Sequence, residues 1–397
     1  MALDSFLDSI LERYAILTRY SKESDHPVRR LAYQAIQQTV GKIAEWMLTT
    51  GMSIQYDEFG NLVGRYEGRE TNSKTLLLGS CFGTGQNASH DYDILSVLLA
   101  LACVERLHTH GQRLAFAIEV FAFPNEGSTH DHSLCNVNRF QIEKEVNAYG
   151  EEKHDIQIPF FTHWRPEDLL GYCEIHIERN SGLKELNVPA TIVWAINSYV
   201  EIALRFTQKV KHSGTVVTSW HGNALYAAAE FILATEEFAQ TRDGLFATVG
   251  QVNMQSDVGS TIQGQVTLSL DMRHQEHTFR EQAHSYLYDR AKQISVQRQV
   301  ALDWQIVQEH PTLLCAPRLV NLLKQAIEKS GYPVLALSND AGYNSMLLSK
   351  LTNTCILLVR GREKTNHPFA ELVTKEDMAV TITILEHFLA YVELASF

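Results

Sequence analysis

The chain has 397 residues, 45% hydrophobic and 20% charged, enough for a packed core in two or three domains or in one domain with a large insertion. Its formal net charge of −12 argues against nucleic acid as the main partner, because phosphate contacts need a basic field. The N-terminal stretch mixes acids into its apolar pattern and has no basic leader region. The longest apolar runs, such as 97–104, are too short to span a bilayer, so neither a signal peptide nor a membrane anchor is expected. The cysteines at 81, 103, 135, 173, 315 and 355 form no CxxC pair, which reads as reduced thiols in a cytoplasmic protein.

In chain order, residues 4–20 and 27–50 carry helical periodicity, the second span closed by Gly51. Residues 53–68 read as a hairpin turning at 58–61, and 74–80 as a strand. A helix is expected over 94–111, then strands over 113–123 and 173–178. This strand–helix–strand order favours an α/β class with a mixed, mostly parallel sheet. Over 198–306 the order becomes strand–helix–strand–strand–helix–strand, that of a ferredoxin-like sandwich. Helix–strand units then resume and close with a helix at 375–394. The expectation is therefore an α/β domain, 1–197 plus 307–397, interrupted by an inserted domain at 198–306.

Polar residues gather at the ends of the core strands. Cys81 ends one strand and Asn125-Glu126 another, His176 lies within a third, and His367 sits in the loop after a fourth. In a parallel sheet those ends share one edge, where ligand and metal sites are built. A lone cysteine is more often a small core residue, a lone strand histidine a structural one, and a lone glutamate a helix cap or surface charge. Only the joint placement of Cys, Glu and two His suggests a set of zinc-type ligands.

These residues fall in stretches that resemble a known family. DEFGNLVGRYEG (57–68), LLLGSCFGT (76–84), VFAFPNEGS (120–128), EIHIERN (174–180), KHSGT (211–215), LSLDMRH (268–274), NDAGYNS (339–345) and NHPFAE (366–371) follow its motifs in order over nearly the whole chain. The family is the hydantoinase/carbamoylase branch of the dinuclear zinc amidohydrolases, in the aminoacylase/carboxypeptidase clan. It includes N-carbamoyl-L-amino-acid hydrolases and allantoate amidohydrolases. The resemblance implies a zinc-exopeptidase-like domain with an inserted lid that dimerises, a zinc cofactor with manganese as an alternative, and a small amide or ureido substrate bearing a carboxylate. The implied metal ligands are Cys81, Glu126, His176 and His367, with the bridging position at Tyr92 in a gapless reading or Asp93 after a one-residue shift. His212 takes the place of the oxyanion-stabilising lid histidine. Arg273 takes that of the arginine receiving the substrate carboxylate, a role its planar fork suits, while a rim salt bridge is the plainer reading.

The chain departs from the family where chemistry is done. Cys81 and Gly83 stand where the family has a ligand His and its supporting Asp. Asn125 stands where the family has the general base, and a carboxamide cannot take a proton near neutral pH. Tyr199, Ser260, Tyr343 and Asn344 replace other substrate-side residues. Three expectations follow: an amidohydrolase whose ordinary hydrolysis is impaired and which holds one zinc ion or none, a non-catalytic homodimeric binding or partner subunit, or a changed reaction in the same cleft.

Overall fold

The structure, a computed structural model, describes residues 3–23, 29–56, 62–71, 73–83, 89–125, 144–146, 152–154, 164–178, 182–208, 211–212, 223–254, 261–262, 264–339, 343–362 and 373–395. In chain order they form α1 (Leu3–Glu23), α2 (Arg29–Thr49), β1 (Ser53–Tyr56), β2 (Leu62–Tyr66), β3 (Thr75–Gly83), α3 (Ser89–Thr109), β4 (Ala117–Asn125), β5 (Lys144–Val146), β6 (Glu152–His154), β7 (Leu169–Ile177), α4 (Gly182–Glu185) and β8 (Ala190–Ile196). There follow β9 (Ser198–Thr207), β10 (Lys211–His212), α5 (Ala224–Gln240), β11 (Phe246–Met254), β12 (Thr261–Ile262), β13 (Gln265–His274), α6 (His277–Gln297) and β14 (Ala301–His310). The chain closes with β15 (Leu313–Leu314), α7 (Pro317–Lys329), β16 (Ala336–Asn339), α8 (Tyr343–Leu348), β17 (Thr354–Val359) and α9 (Lys375–Leu394).

Several elements differ from the sequence reading, among them the short β5, β6, β10, β12, β15, α4 and α8, and three bear on the main sheet. α3 begins at Ser89 rather than 94, so Asp93 lies within the helix. β4 begins at Ala117 rather than 113; Arg113 lies in the irregular stretch before it, its guanidinium 3.8 Å from the Tyr66 ring centroid and donating to the Glu67 carbonyl. β8 was not anticipated; it is an almost continuous apolar run, buried except at Trp194 and paired antiparallel to β17.

The chain divides into two compact units: 1–194, 315–337 and 341–397 in the first, 195–314 and 338–340 in the second. The main sheet runs β1-β2-β4-β3-β7-β17-β8-β15. Its centre, β4-β3-β7-β17, is parallel, and the flanking pairs β2–β4 and β17–β8 are antiparallel. Central strands are buried on both faces, which is why β3 reads Leu-Leu-Leu instead of alternating. Leu76 and Leu78 pack with α1, α3, α7 and α9 in the large core, whereas Leu77 joins Phe121, Trp164, Tyr172 and Leu348 on the opposite face. Along β7, Cys173, Ile175 and Ile177 belong to the first face. Alternation then puts Tyr172, Glu174 and His176 on the second.

The second unit holds an antiparallel sheet in the order β11-β13-β9-β14, with α5 and α6 as crossovers. β13 alternates strictly between buried and half-buried residues. Val266, Leu268, Leu270 and Met272 face α5 and α6, in a core shared with Val200, Ile202, Leu204 and Phe206 of β9. The polar partners of these residues line the other sheet face.

Candidate active site

In the first unit, parallel register aligns the strand ends. Cys81 is level with Phe123, and Gly83 is the direct partner of Asn125, the last residue of β4. On the other side of β3, Gly79 is level with Glu174, two residues before His176, which is itself level with Leu358 of β17. Cys81, Asn125 and His176 thus occupy the carboxyl ends of three neighbouring strands. Asp93 lies in the opening turns of α3, the helix that follows β3. At positions 81, 93, 125, 212 and 343 the backbone alone is described. Glu126, Ser260 and His367 lie outside the described residues.

Two buried carboxylates organise this edge, and neither was singled out in the sequence. Glu174 is 2% exposed, and its Oε2 accepts the Ser345 backbone N–H at 2.8 Å and the Ser345 hydroxyl at 2.6 Å. This fastens the first turn of α8, which begins at Tyr343, to the strand carrying His176. The alternation of CEIHIE, with Glu174, His176 and Glu178 at every second place, was the available signal. Asp377 accepts from Arg360 Nε and Nη2 at 3.0 and 2.6 Å and lies in the first turn of α9, where an acid also complements the helix dipole. Arg360 and Asp377 thereby clamp both ends of the connection that contains position 367. Gly361 is required there, since a Cβ would come within 1.8 Å of the Glu178 carbonyl oxygen. Burial raises the Glu178 carboxyl above its ordinary pKa; the Leu183 N–H bound to its Oε2 at 2.9 Å opposes this, and Glu185 adds to it.

In the second unit, Tyr199 of β9 pairs with Arg273 of β13 on one side and with His310 of β14 on the other. The Arg273 guanidinium lies 5.0 Å from the Tyr199 ring centroid, and Tyr199 and His310 stack at 5.2 Å and 25°. Arg273 also forms the salt bridge that was the plainer reading: Nε and Nη2 donate to Asp271 at 2.9 and 2.7 Å. The Tyr199 hydroxyl donates to Glu201 at 3.2 Å. Burial, then Asp271 and Glu201, push its pKa up, so it remains a donor. His212 pairs with Thr261 in the short β10–β12 ribbon, which brings position 212 beside the segment that follows Ser260. His310 was missed because its role depends on β14 register, which a single strand's sequence does not reveal.

Among the described residues, no group of three or more His, Cys, Asp or Glu could hold a metal ion. Of the five expected ligands, only His176 has a described side chain, and it is half-buried. The donor set fits zinc by chemistry: a thiol, carboxylates and imidazoles, three of them drawn from one sheet edge and the helix beside it.

The sequence profile of Peptidase family M20/M25/M40 matches residues 83–391. An N-carbamoyl-L-amino acid amidohydrolase of Geobacillus stearothermophilus is 26% identical over 399 residues, covering 96% of this chain and 97% of that protein. Allantoate deiminase 1 of Glycine max is 25% identical, covering 96% and 89% respectively. Among solved structures, AtUAH in complex with (S)-hydroxyglycine superimposes with a TM-score of 0.81 at 19% identity, covering 98% of both chains, a likeness of fold. The chain belongs to Peptidase family M20/M25/M40, within its carbamoylase branch.

Proposed function

We propose that the chain binds a small carboxylated amide or ureido compound in the manner of its carbamoylase and allantoate-deiminase relatives, with ordinary C–N hydrolysis impaired. The observation that carries this reading is the direct pairing of Gly83 with Asn125 at the ends of β3 and β4. Two adjoining positions where the resemblance calls for carboxylates hold none. Cys81, two residues before Gly83, departs from the same motif.

Cys81, Glu126, His176, His367 and Asp93 would hold the metal, one zinc ion, with manganese as the alternative. A bound metal would supply Lewis-acid polarisation of the scissile carbonyl and a more acidic water. Arg273 receives the ligand's carboxylate. Tyr199, Ser260 and Tyr343 line the ligand, and His212 donates to the carbonyl oxygen as negative charge develops on it. Asn125 orients a water through its amide but takes no proton from it. A missing general base lowers the rate by about 10²–10⁴.

The test is ammonia release from N-carbamoyl amino acids and from allantoate, with zinc or manganese added. Asn125→Glu alone is expected to restore nothing, because a base has little to act on where the metal is poorly held. Cys81→His, Gly83→Asp and Asn125→Glu together are expected to exceed the sum of the single changes, since such groups act as a unit. Robust turnover by the unmodified chain would refute impaired hydrolysis. Absence of turnover in the triple variant, with ligand still bound, favours the second reading, a binding or partner subunit. That reading draws on Asn344, a buried amide in place of the family's aspartate.

We infer a homodimer through the second unit. β11 and β14 are its sheet edges, and Phe246, Val252 and Met254 on β11, Ile306 and Val307 on β14, and Tyr226 and Leu233 on α5 are exposed apolar side chains that association would bury.

A further inference from the structure

We propose that His310 is a positioning residue for Arg273: it backs the Tyr199 ring, and Tyr199 holds the guanidinium in the orientation that receives a ligand carboxylate. The inference rests on the reading of Arg273 given above and adds a residue that none of the motifs contains.

The geometry is a single row across three strands. Antiparallel register places Arg273, Tyr199 and His310 directly opposite one another on one sheet face, and directly opposed side chains are the closest cross-strand neighbours. Arg273 is gripped along one edge by Asp271 and faced by the Tyr199 ring. An arginine held in this way loses less freedom on meeting a carboxylate than one that swings in solvent. Tyr199 is restrained in turn by its hydrogen bond to Glu201 and by the His310 ring stacked against it. The His310 ring is oriented by its Nδ1–H, which donates to the Pro311 carbonyl at 3.3 Å.

The charge state suits this role. Burial lowers the His310 pKa to about 4; the Pro311 bond opposes the shift, and the Arg273 and Arg280 guanidiniums reinforce it. A neutral imidazole therefore stands in the row near neutral pH and adds no like charge beside Arg273. An alanine at 310 would leave one side of the Tyr199 ring without its stacking partner. A phenylalanine would keep the stack and lose only the Pro311 hydrogen bond.

The experiment combines an activity-independent readout with a binding one. Nitrogen-15 spectra of the arginine Nε–H groups, with the Arg273 signal assigned through Arg273→Lys, report how firmly the guanidinium is held. Calorimetry with an N-carbamoyl amino acid reports affinity, and where the chain or the restored triple variant turns over, KM and kcat are separated. His310→Ala is expected to speed proton exchange and Nη rotation at Arg273. It should weaken the ligand about three- to tenfold, the scale on which one aromatic pair acts, with kcat unchanged. His310→Phe should restore both, and Tyr199→Leu should loosen Arg273 in the nitrogen-15 spectra as the alanine does. An Arg273 signal unaltered in a folded His310→Ala protein overturns the proposal. If Arg273 loosens while the parent protein binds no carboxylated ligand, the hold of His310 on Arg273 stands, and the assignment of Arg273 as a carboxylate receptor falls.

Discussion

Breaking the Arg360–Asp377 pair is expected to have unequal consequences depending on which partner is removed. The Asp377 side chain is 3% exposed and that of Arg360 21%. Arg360→Leu leaves a carboxylate buried with its two guanidinium bonds gone, a change that typically costs about 3–5 kcal/mol. Asp377→Ala strands the more accessible partner, which can turn towards water and still reach Asn187 Oδ1 at 3.3 Å. The expected cost there is about 2 kcal/mol for the ion pair, below the sum of two charge-assisted hydrogen bonds because water replaces them on the freed guanidinium, plus about 0.5 kcal/mol for the acid in the first turn of α9. Because each single change already removes the same ion pair, the double variant should cost well below their sum, a coupling of about 2 kcal/mol. Urea unfolding followed by tryptophan fluorescence and circular dichroism measures all three. The transitions of the two units are fitted separately, since the chain need not unfold in one step. The reasoning fails if Asp377→Ala destabilises as much as Arg360→Leu, or if the two effects simply add.

Three other outcomes are expected. His310 has a depressed pKa in the folded chain, so its contribution to stability is complete above its ordinary value of 6.5 and is lost as pH falls through about 4; acid titration of the second unit should show this slope in the parent and a shallower one in His310→Phe. Elemental analysis of protein purified without chelator should find at most one tightly bound zinc per chain, because two divalent ions about 3.5–4 Å apart need a bridging carboxylate and a fully charged ligand set; two stoichiometric ions would contradict the proposed impairment. Light scattering at micromolar concentration should report a homodimer, and a monomer, or an interface built only from the first unit, would overturn that proposal.

Local pattern alone determined most of the elements. Helices α1, α2, α5, α6, α7 and α9 follow from apolar periodicity, and α2 also from the glycine after it, because a helix repeats its buried stripe within one stretch of chain. The motif order identified the strand ends at Cys81, Asn125 and His176 before any sheet was built, since chemistry at the edge of a parallel sheet leaves polar residues at the ends of apolar runs. No helix among the described residues is long and apolar enough to cross a membrane. Tertiary structure alone decided which of these positions meet. Glu174 reads as an ordinary strand residue until Ser345, 171 residues away, docks on it. Gly83 and Asn125 become neighbours only when β3 and β4 pair in register. Arg273, Tyr199 and His310 form a row only because β13, β9 and β14 align at one level, and His310 then turns neutral through burial and two neighbouring arginines. Register and burial are properties of strands brought together from distant parts of the chain, so no single segment carries their signal.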